Sequence, residues 1–345
     1  MMRLIQSLAL VLAFTALTAG AMQPRKEPPV RAGDVERYRK HFLPPADGEP
    51  RNGAVKVTFL GTGTLLFDDG QTQVMTDGFF SRPSFLTVVK GKIETDPKVV
   101  DAALKKAGVT RLKALFVAHS HYDHAFDVAH VAKKTGAKLH GSVSTLNIGR
   151  GGGLDEDQMQ LYEPGKDVEI GRFTVSVLKS KHTPPIAGIN DDLGEVIDKP
   201  LKQPASFRDY KEGGSFDILI RHGGNSMLVK PSDNFLEGAL DMVRADVIFL
   251  GTAGMGIYKK DFQDAVYDQT VGKVRPRLVV PLHWDSFFDP LSDKLKFPLV
   301  GDVPAGFDYL IGRLKEDGIA FGIMQGYQSV LLFGDSQLPG KKKDN

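Results

Sequence analysis

The sequence predicts an α/β protein: two mixed β-sheets packed face to face with helices on the outside, a four-layer αββα sandwich. Three observations predict it. Residues 54–77 read as short strands in hairpin succession, with Val55, Val57 and Phe59 alternating as a half-buried strand does. Residues 113–118 (Lys-Ala-Leu-Phe-Val-Ala) then form an almost continuous apolar run between helical stretches, the mark of a strand buried on both faces. The same succession returns in the second half, and two such halves call for two sheets sharing a core. The 37 glycines and 20 prolines supply the many tight connections this requires.

Taken in order, the chain opens on a leader. Arg3, the apolar stretch from Leu4 to Leu17 and Ala19-Gly20-Ala21 fit a signal peptide over residues 1–21. Residues 22–53, with Pro28-Pro29 and Pro44-Pro45, read as an N-terminal arm on the domain surface. The domain proper spans 54–333. Gly61-Thr62-Gly63 turns the first strand into a second through Leu65 and Phe67, and 71–77 makes a third. Asp96 caps a helix beginning at Pro97 and stopping at Gly108. After the buried run, a helix over 124–135 leads to a strand ending at His140. Gly151-Gly152-Gly153 reads as a flexible rim loop. Strands follow at 173–178, 216–221, 227–230, 247–250 and 278–281, and helices at 235–243, 261–271 and 307–315. Residues 334–345 form a basic tail containing Lys341-Lys342-Lys343.

Composition narrows the class. With 41% hydrophobic and 25% charged residues the chain is neither disordered nor a multi-span membrane protein. A formal charge of +2 offers no track for nucleic acid. The absence of cysteine excludes disulfides, a lipidated cysteine and a thiol nucleophile. With the leader, this points to a bacterial periplasmic or secreted protein standing on its core alone.

The chemistry concentrates in His119-Ser120-His121-Tyr122-Asp123-His124, directly after the buried strand. Imidazoles at i and i+2 leave a strand end on one side, and Asp123 and His124 open the next helix. One tight turn thus aims four donors at one spot, a nitrogen and carboxylate set suited to Zn²⁺ and borderline metals. Of the nine histidines, His182 and His283 join these three at predicted strand ends on the same side of the sheets, where sites in α/β proteins form. His41, His130 and His222 have blander placements; His140 also ends a strand and is a candidate support for a ligand.

The segment resembles the H-x-H-x-D-H signature of the metallo-β-lactamase fold superfamily. Four further places match in order: Asp77 in Met75-Thr76-Asp77-Gly78, His182 in Lys181-His182-Thr183, Asp233 in Pro231-Ser232-Asp233, and His283 in Leu282-His283-Trp284. A serine precedes Asp233 where many members have glycine. The resemblance covers roughly residues 54–333. It implies one metal on His119, His121 and His182, a second on Asp123, His124 and His283, and Asp233 bridging them. Two zinc ions per chain are implied, with iron or manganese as alternatives, and Asp77 hydrogen-bonds the loop that presents the ligands.

A zinc-bound water has its pKa lowered to about 7, giving a hydroxide nucleophile without Ser or Cys. Asp123 is then the catalytic residue that orients or deprotonates it. The implied function is an exported zinc hydrolase of an ester, lactone, amide or phosphodiester, in pattern nearest the ascorbate-lactone hydrolase and phospholipase D-like subgroup. The alternatives are a mononuclear iron dioxygenase on the same fold and a β-lactam hydrolase. Trp284 and Phe287, beside a ligand, are candidates for the substrate wall. Residues 184–215 are too long for a simple connection and too apolar for a disordered linker (Leu193, Val196, Ile197, Leu201, Phe207, Tyr210), which predicts a lid over the centre. The expected partner is a small-molecule or lipid-like substrate.

Overall fold

The computed structural model describes residues 35–185 and 191–335. The leader, the start of the arm, residues 186–190 of the predicted lid and the basic tail from 336 onward lie outside the described residues.

Among the described residues, fourteen strands form two seven-stranded sheets. The first holds β1 (Val55–Phe59), β2 (Leu65–Asp68), β3 (Gln73–Thr76), β4 (Leu112–Phe116), β5 (Lys138–Gly141), β6 (Met159–Leu161) and the late strand β14 (Ser329–Leu332), in the order β14-β1-β2-β3-β4-β5-β6. The second runs backward through the chain. From β13 (Ala320–Phe321) it passes β12 (Leu278–Leu282), β11 (Val247–Gly251), β10 (Asn225–Lys230), β9 (Phe216–His222) and β8 (Phe173–Lys179) to β7 (Asp167–Ile170). In chain order each sheet begins with antiparallel pairs and continues with parallel ones, β7 to β10 being antiparallel in the second sheet and β10 to β13 parallel. Parallel neighbours need crossovers, and the helices lie in them. One apolar cluster fills the space between the sheets, with Phe59, Phe67, Phe116, Phe173, Phe249 and Trp284 fully buried. A second lies between the first sheet and its helices.

Local rules account for most elements. Asp96 caps the helix Pro97–Lys106 by accepting from the Lys98 and Val99 amides. The last long helix, Val303–Glu316, starts a turn earlier than expected because Asp302 caps it ahead of Pro304. The predicted helix over 124–135 is broken into Tyr122–Ala125 and Val128–Thr135. At the break, the buried Asp127 carboxylate turns away to accept from the Phe80 and Ser81 amides and the Ser81 hydroxyl. Residues 235–243 form turns, not the predicted helix; Gly238 at φ +76° cannot continue one. Gly151-Gly152-Gly153 is the end of a helix, Val143–Gly151, rather than a free loop. A Cβ on Gly151 would lie 1.8 Å from the Leu201 carbonyl oxygen.

Residues 191–215 pack across that helix. The Ile197 amide donates to Ser144 Oγ at 2.8 Å, and Asn147 returns a bond to the Ile197 carbonyl at 2.7 Å. The arm, from the short helical turn Val35–His41 onward, lies against Val303–Glu316; the Tyr38 hydroxyl bonds the Pro304 carbonyl and the Asp308 carboxylate.

His140 is turned into the space between the sheets, stacked on Phe116 with centroids 4.4 Å apart. Burial, with help from Lys138, pushes its imidazole down to about 4. An unfolded histidine binds its proton near pH 6.5. Stability is therefore lost as pH falls from about 6.5 towards 4, because only the unfolded chain takes up the proton. His140 should account for about 2–3 kcal/mol of the loss between pH 7 and 4.5. Urea midpoints at the two pH values should converge in His140→Phe, which keeps the stack; an unchanged acid slope would contradict this assignment.

Candidate metal centre

The predicted histidine donors follow the C-terminal ends of strands, except His124, which lies in the helical turn Tyr122–Ala125. β4 gives way to Val117 and Ala118, whose amide and carbonyl are taken by Asp77 Oδ1 and the Phe216 amide, at 2.8 and 2.9 Å. His119, Ser120 and His121 follow as extended chain, and His121 sits at the N-cap of the turn Tyr122–Ala125. β8 and β12 end just before His182 and His283.

The side chains gather into two trios: His119, His121 and His182; and Asp123, His124 and His283. In the first, His182 Nε2 lies 3.1 Å from His119 Nε2 and 3.2 Å from His121 Nδ1. A tetrahedral ion with bonds near 2.0 Å has ligand atoms about 3.3 Å apart, so these spacings are those of a metal site. The protons sit on the far nitrogens. His182 Nδ1 donates to the Thr183 carbonyl at 2.8 Å, and His121 Nε2 donates to Asp192 Oδ1 at 3.0 Å. Each leaves a lone pair aimed at the shared centre. Burial, reinforced by the neighbouring imidazoles, holds His119 well below the ordinary histidine range and pushes His182 down to about 3. Both are neutral, as ligands must be.

In the second trio, His124 Nδ1 donates to Asp77 Oδ2 at 2.7 Å, which frees Nε2. Asp123 Oδ2 is 3.0 Å from His283 Nε2 and 3.8 Å from His124 Nε2. Burial opposes the Asp123 charge, but His124 and His283 outweigh it and hold the carboxyl well below its usual range. The trios adjoin, with the His119 and His124 rings 3.9 Å apart. One carboxylate and five imidazoles suit zinc, iron or manganese, and the donor set indicates divalent metal use.

The Gly61-Thr62-Gly63 turn lies beneath both halves of the second trio. The His283 amide donates to the Thr62 carbonyl at 3.0 Å, in a left-handed conformation at φ +55°. A Cβ on Gly63 would stand 2.1 Å from Asp77 Oδ2, so only glycine lets Asp77 reach His124.

Two expectations meet a different arrangement. Asp233 is fully buried but joins neither trio. Its carboxylate accepts from Thr183 Oγ1 at 2.7 Å, the Tyr258 hydroxyl at 2.9 Å and the Gly254 amide at 2.6 Å. It locks the loop behind His182, whose carbonyl also takes a bond from Asn234. Trp284 is not a substrate wall: it is fully buried, ringed by Phe59, Phe297 and Phe307 in the core. The backbone reversal at His283 sends one side chain to the site and the next into the core. Phe287 stays at the rim, 5.5 Å from the His283 ring, beside Tyr122 and Phe288. His140 is remote from both trios in its contacts and supports no ligand.

Sequence reasoning missed Asp192, and also the buried pair Arg82–Asp285 at 2.8 Å behind His283. Nothing in the Asp191-Asp192 pair, within an aperiodic segment, marks it; Asp285, two residues after a strand-end histidine, was the one available signal.

The family model of the metallo-beta-lactamase superfamily matches residues 83–229. A UPF0173 metal-dependent hydrolase of Anaeromyxobacter sp. (strain K) is 28% identical over 249 residues, 70% of this chain and 79% of that protein. One of Heliobacterium modesticaldum is 27% identical over 238 residues, 67% and 83% of the respective chains. Among solved structures, Igni18, a metallo hydrolase from Ignicoccus hospitalis, superposes with a TM-score of 0.51 at 14% identity, covering 81% of this chain and 99% of its own. CmlA, a diiron beta-hydroxylase from Streptomyces venezuelae, gives 0.54 at 14% identity over 86% of this chain and 59% of its own. At such identities these structures share the fold alone.

Proposed function

We propose that this chain, which resembles metallo-β-lactamase-fold proteins in its sheets and its donors, is an exported, metal-dependent hydrolase of an ester, lactone, amide or phosphodiester. The observation that carries the reading is the first trio. Three imidazoles converge at metal-site spacing, and the two whose far nitrogens are bonded have their tautomers set by those bonds. His119, His121 and His182 would hold one ion and Asp123, His124 and His283 a second. Zinc fits this nitrogen-rich set, and two such ions supply Lewis-acid polarisation of the scissile group and a water acidic enough to attack near neutral pH.

The chain's own residues supply the rest. Asp123, held between His124 and His283, would orient or deprotonate the attacking water. Asp77 fixes His124 with Nε2 toward the site. Tyr122, Phe207 and Phe287 offer an aromatic wall; Phe207 comes from the 184–215 segment and meets the Tyr122 ring at 6.1 Å. That wall suits the apolar part of a substrate, away from the bond being broken. The described part of the segment rests mainly on the helix Val143–Gly151, so its covering role is confined to the edge bearing Phe207 and Asp192.

The test is a panel of chromogenic ester, lactone, phosphodiester and lactam substrates, run on zinc-loaded and metal-stripped protein, with metal analysis of protein purified without added metal. Turnover restored by zinc is expected. Bound iron with no hydrolysis of any substrate would favour the oxygenase alternative. Recovery of a shortened chain in the periplasmic fraction would support export, and retention of the full-length chain in the cytoplasm would refute it.

A further inference from the structure

His121 differs from the other ligands in the first trio because it faces the centre with Nδ1, while its Nε2 meets a carboxylate from a distant part of the chain. Asp192 Oδ1 and Oδ2 lie 3.0 and 3.3 Å from Nε2. A neutral imidazole has one N–H and one lone pair, so an acceptor at Nε2 places the lone pair on Nδ1, facing the trio. Without that acceptor, nothing in the described contacts selects this tautomer.

Asp192 is itself braced. Its Oδ2 accepts from the Glu212 amide at 3.1 Å. The Glu212 carboxylate accepts from the Gly194 amide at 2.6 Å and the Ser215 hydroxyl at 2.8 Å. The Glu212 carbonyl accepts from the amide of Ser120, the residue between His119 and His121, at 2.8 Å. The two ends of the 191–215 segment are thus joined to each other and to the loop carrying two ligands.

We propose that Asp192 is the positioning residue for His121, and that through it the order of the 191–215 segment and occupancy of the first metal position are coupled; the coupling rests on the metal-centre reading above. Linkage makes the effect reciprocal: whatever the bound segment adds to metal affinity, the bound metal adds to closure of the segment. Carboxylates behind metal-bound histidines commonly contribute about 10–100-fold in affinity.

The experiment titrates the metal-free full chain with zinc against a chromophoric chelator. Asp192→Ala should weaken one site by about 10–100-fold and leave the other unchanged. Asp192→Asn should recover part of the loss, since its amide oxygen accepts the same N–H. Two readouts need no turnover. Long-range ¹⁵N spectra of the metal-free protein should show His121 protonated at Nε2 in the parent and a tautomer mixture in Asp192→Ala. Zinc should slow proteolysis within 191–215 in the parent and not in Asp192→Ala. Parental affinity at both sites in Asp192→Ala, or equal weakening of both, would overturn the proposal. If the parent binds no zinc, the metal-centre reading fails separately, and an unchanged His121 tautomer in Asp192→Ala would also remove Asp192 from its positioning role.

Discussion

Replacing His119 by alanine is expected to remove one metal equivalent per chain and to lower kcat/KM by at least about three orders of magnitude. The imidazole is buried, neutral and 3.1 Å from His182 Nε2, and the described residues provide no spare donor to take its place. Two nitrogens cannot hold a zinc ion at the occupancy of three. Metal analysis and kinetics on the same preparation check this. An enzyme retaining both metals and full turnover would show that the first trio is not the site. Asp233→Asn separates two roles for that carboxylate. Placed outside both trios, it should weaken the loop behind His182 without removing a metal equivalent; loss of metal would restore the bridging role that the resemblance implies.

The histidines were legible because strand ends in this architecture point one way. A buried strand announces itself by continuous apolar residues, and the first polar residues after it emerge on the site side. Asp77 was legible for the same reason. The topology adds a correspondence that the residue pattern conceals. Asp77 follows β3, Asp233 follows β10, and each accepts an amide from the loop after the next strand, Ala118 and Gly254 respectively. Apolar strands tolerate any mixture of Val, Ile, Leu and Phe, so a repeated topology leaves no repeated sequence.

The helix Val143–Gly151 was invisible for the opposite reason. It is covered on its outer side by the 191–215 segment, which buries Ser144 and Asn147, while Thr145 is buried against Ser120 and Ser142, so no amphipathic period results. Trp284 was misread because position beside a ligand says nothing of direction; the left-handed backbone at His283 decides it.

Breaking the Arg82–Asp285 pair should have the largest effect on stability of any single change behind the site. Both side chains are wholly buried and 2.8 Å apart. Asp285 Oδ1 also accepts from the Thr62 amide at 2.8 Å, and a Cβ on Gly61 would lie 1.8 Å from Arg82 Nη2. Arg82→Ala strands a carboxylate with no counter-charge, at a cost of about 3–5 kcal/mol. That is a large share of the roughly 5–15 kcal/mol that keeps a domain folded. The single variant should therefore lower the urea midpoint sharply or fail to fold.

Arg82→Met with Asp285→Leu should regain much of the loss, since a well-packed apolar pair of similar volume often matches a buried ion pair. Positioning should not return with stability. The Thr62 amide would still lack its acceptor, and Thr62 carries the carbonyl that fixes His283. The double variant is thus expected to fold with one zinc bound as in the parent and the Asp123, His124 and His283 position weakened. If it bound both ions like the parent, the pair would be a device of stability alone, and His283 would owe its place to its own strand end.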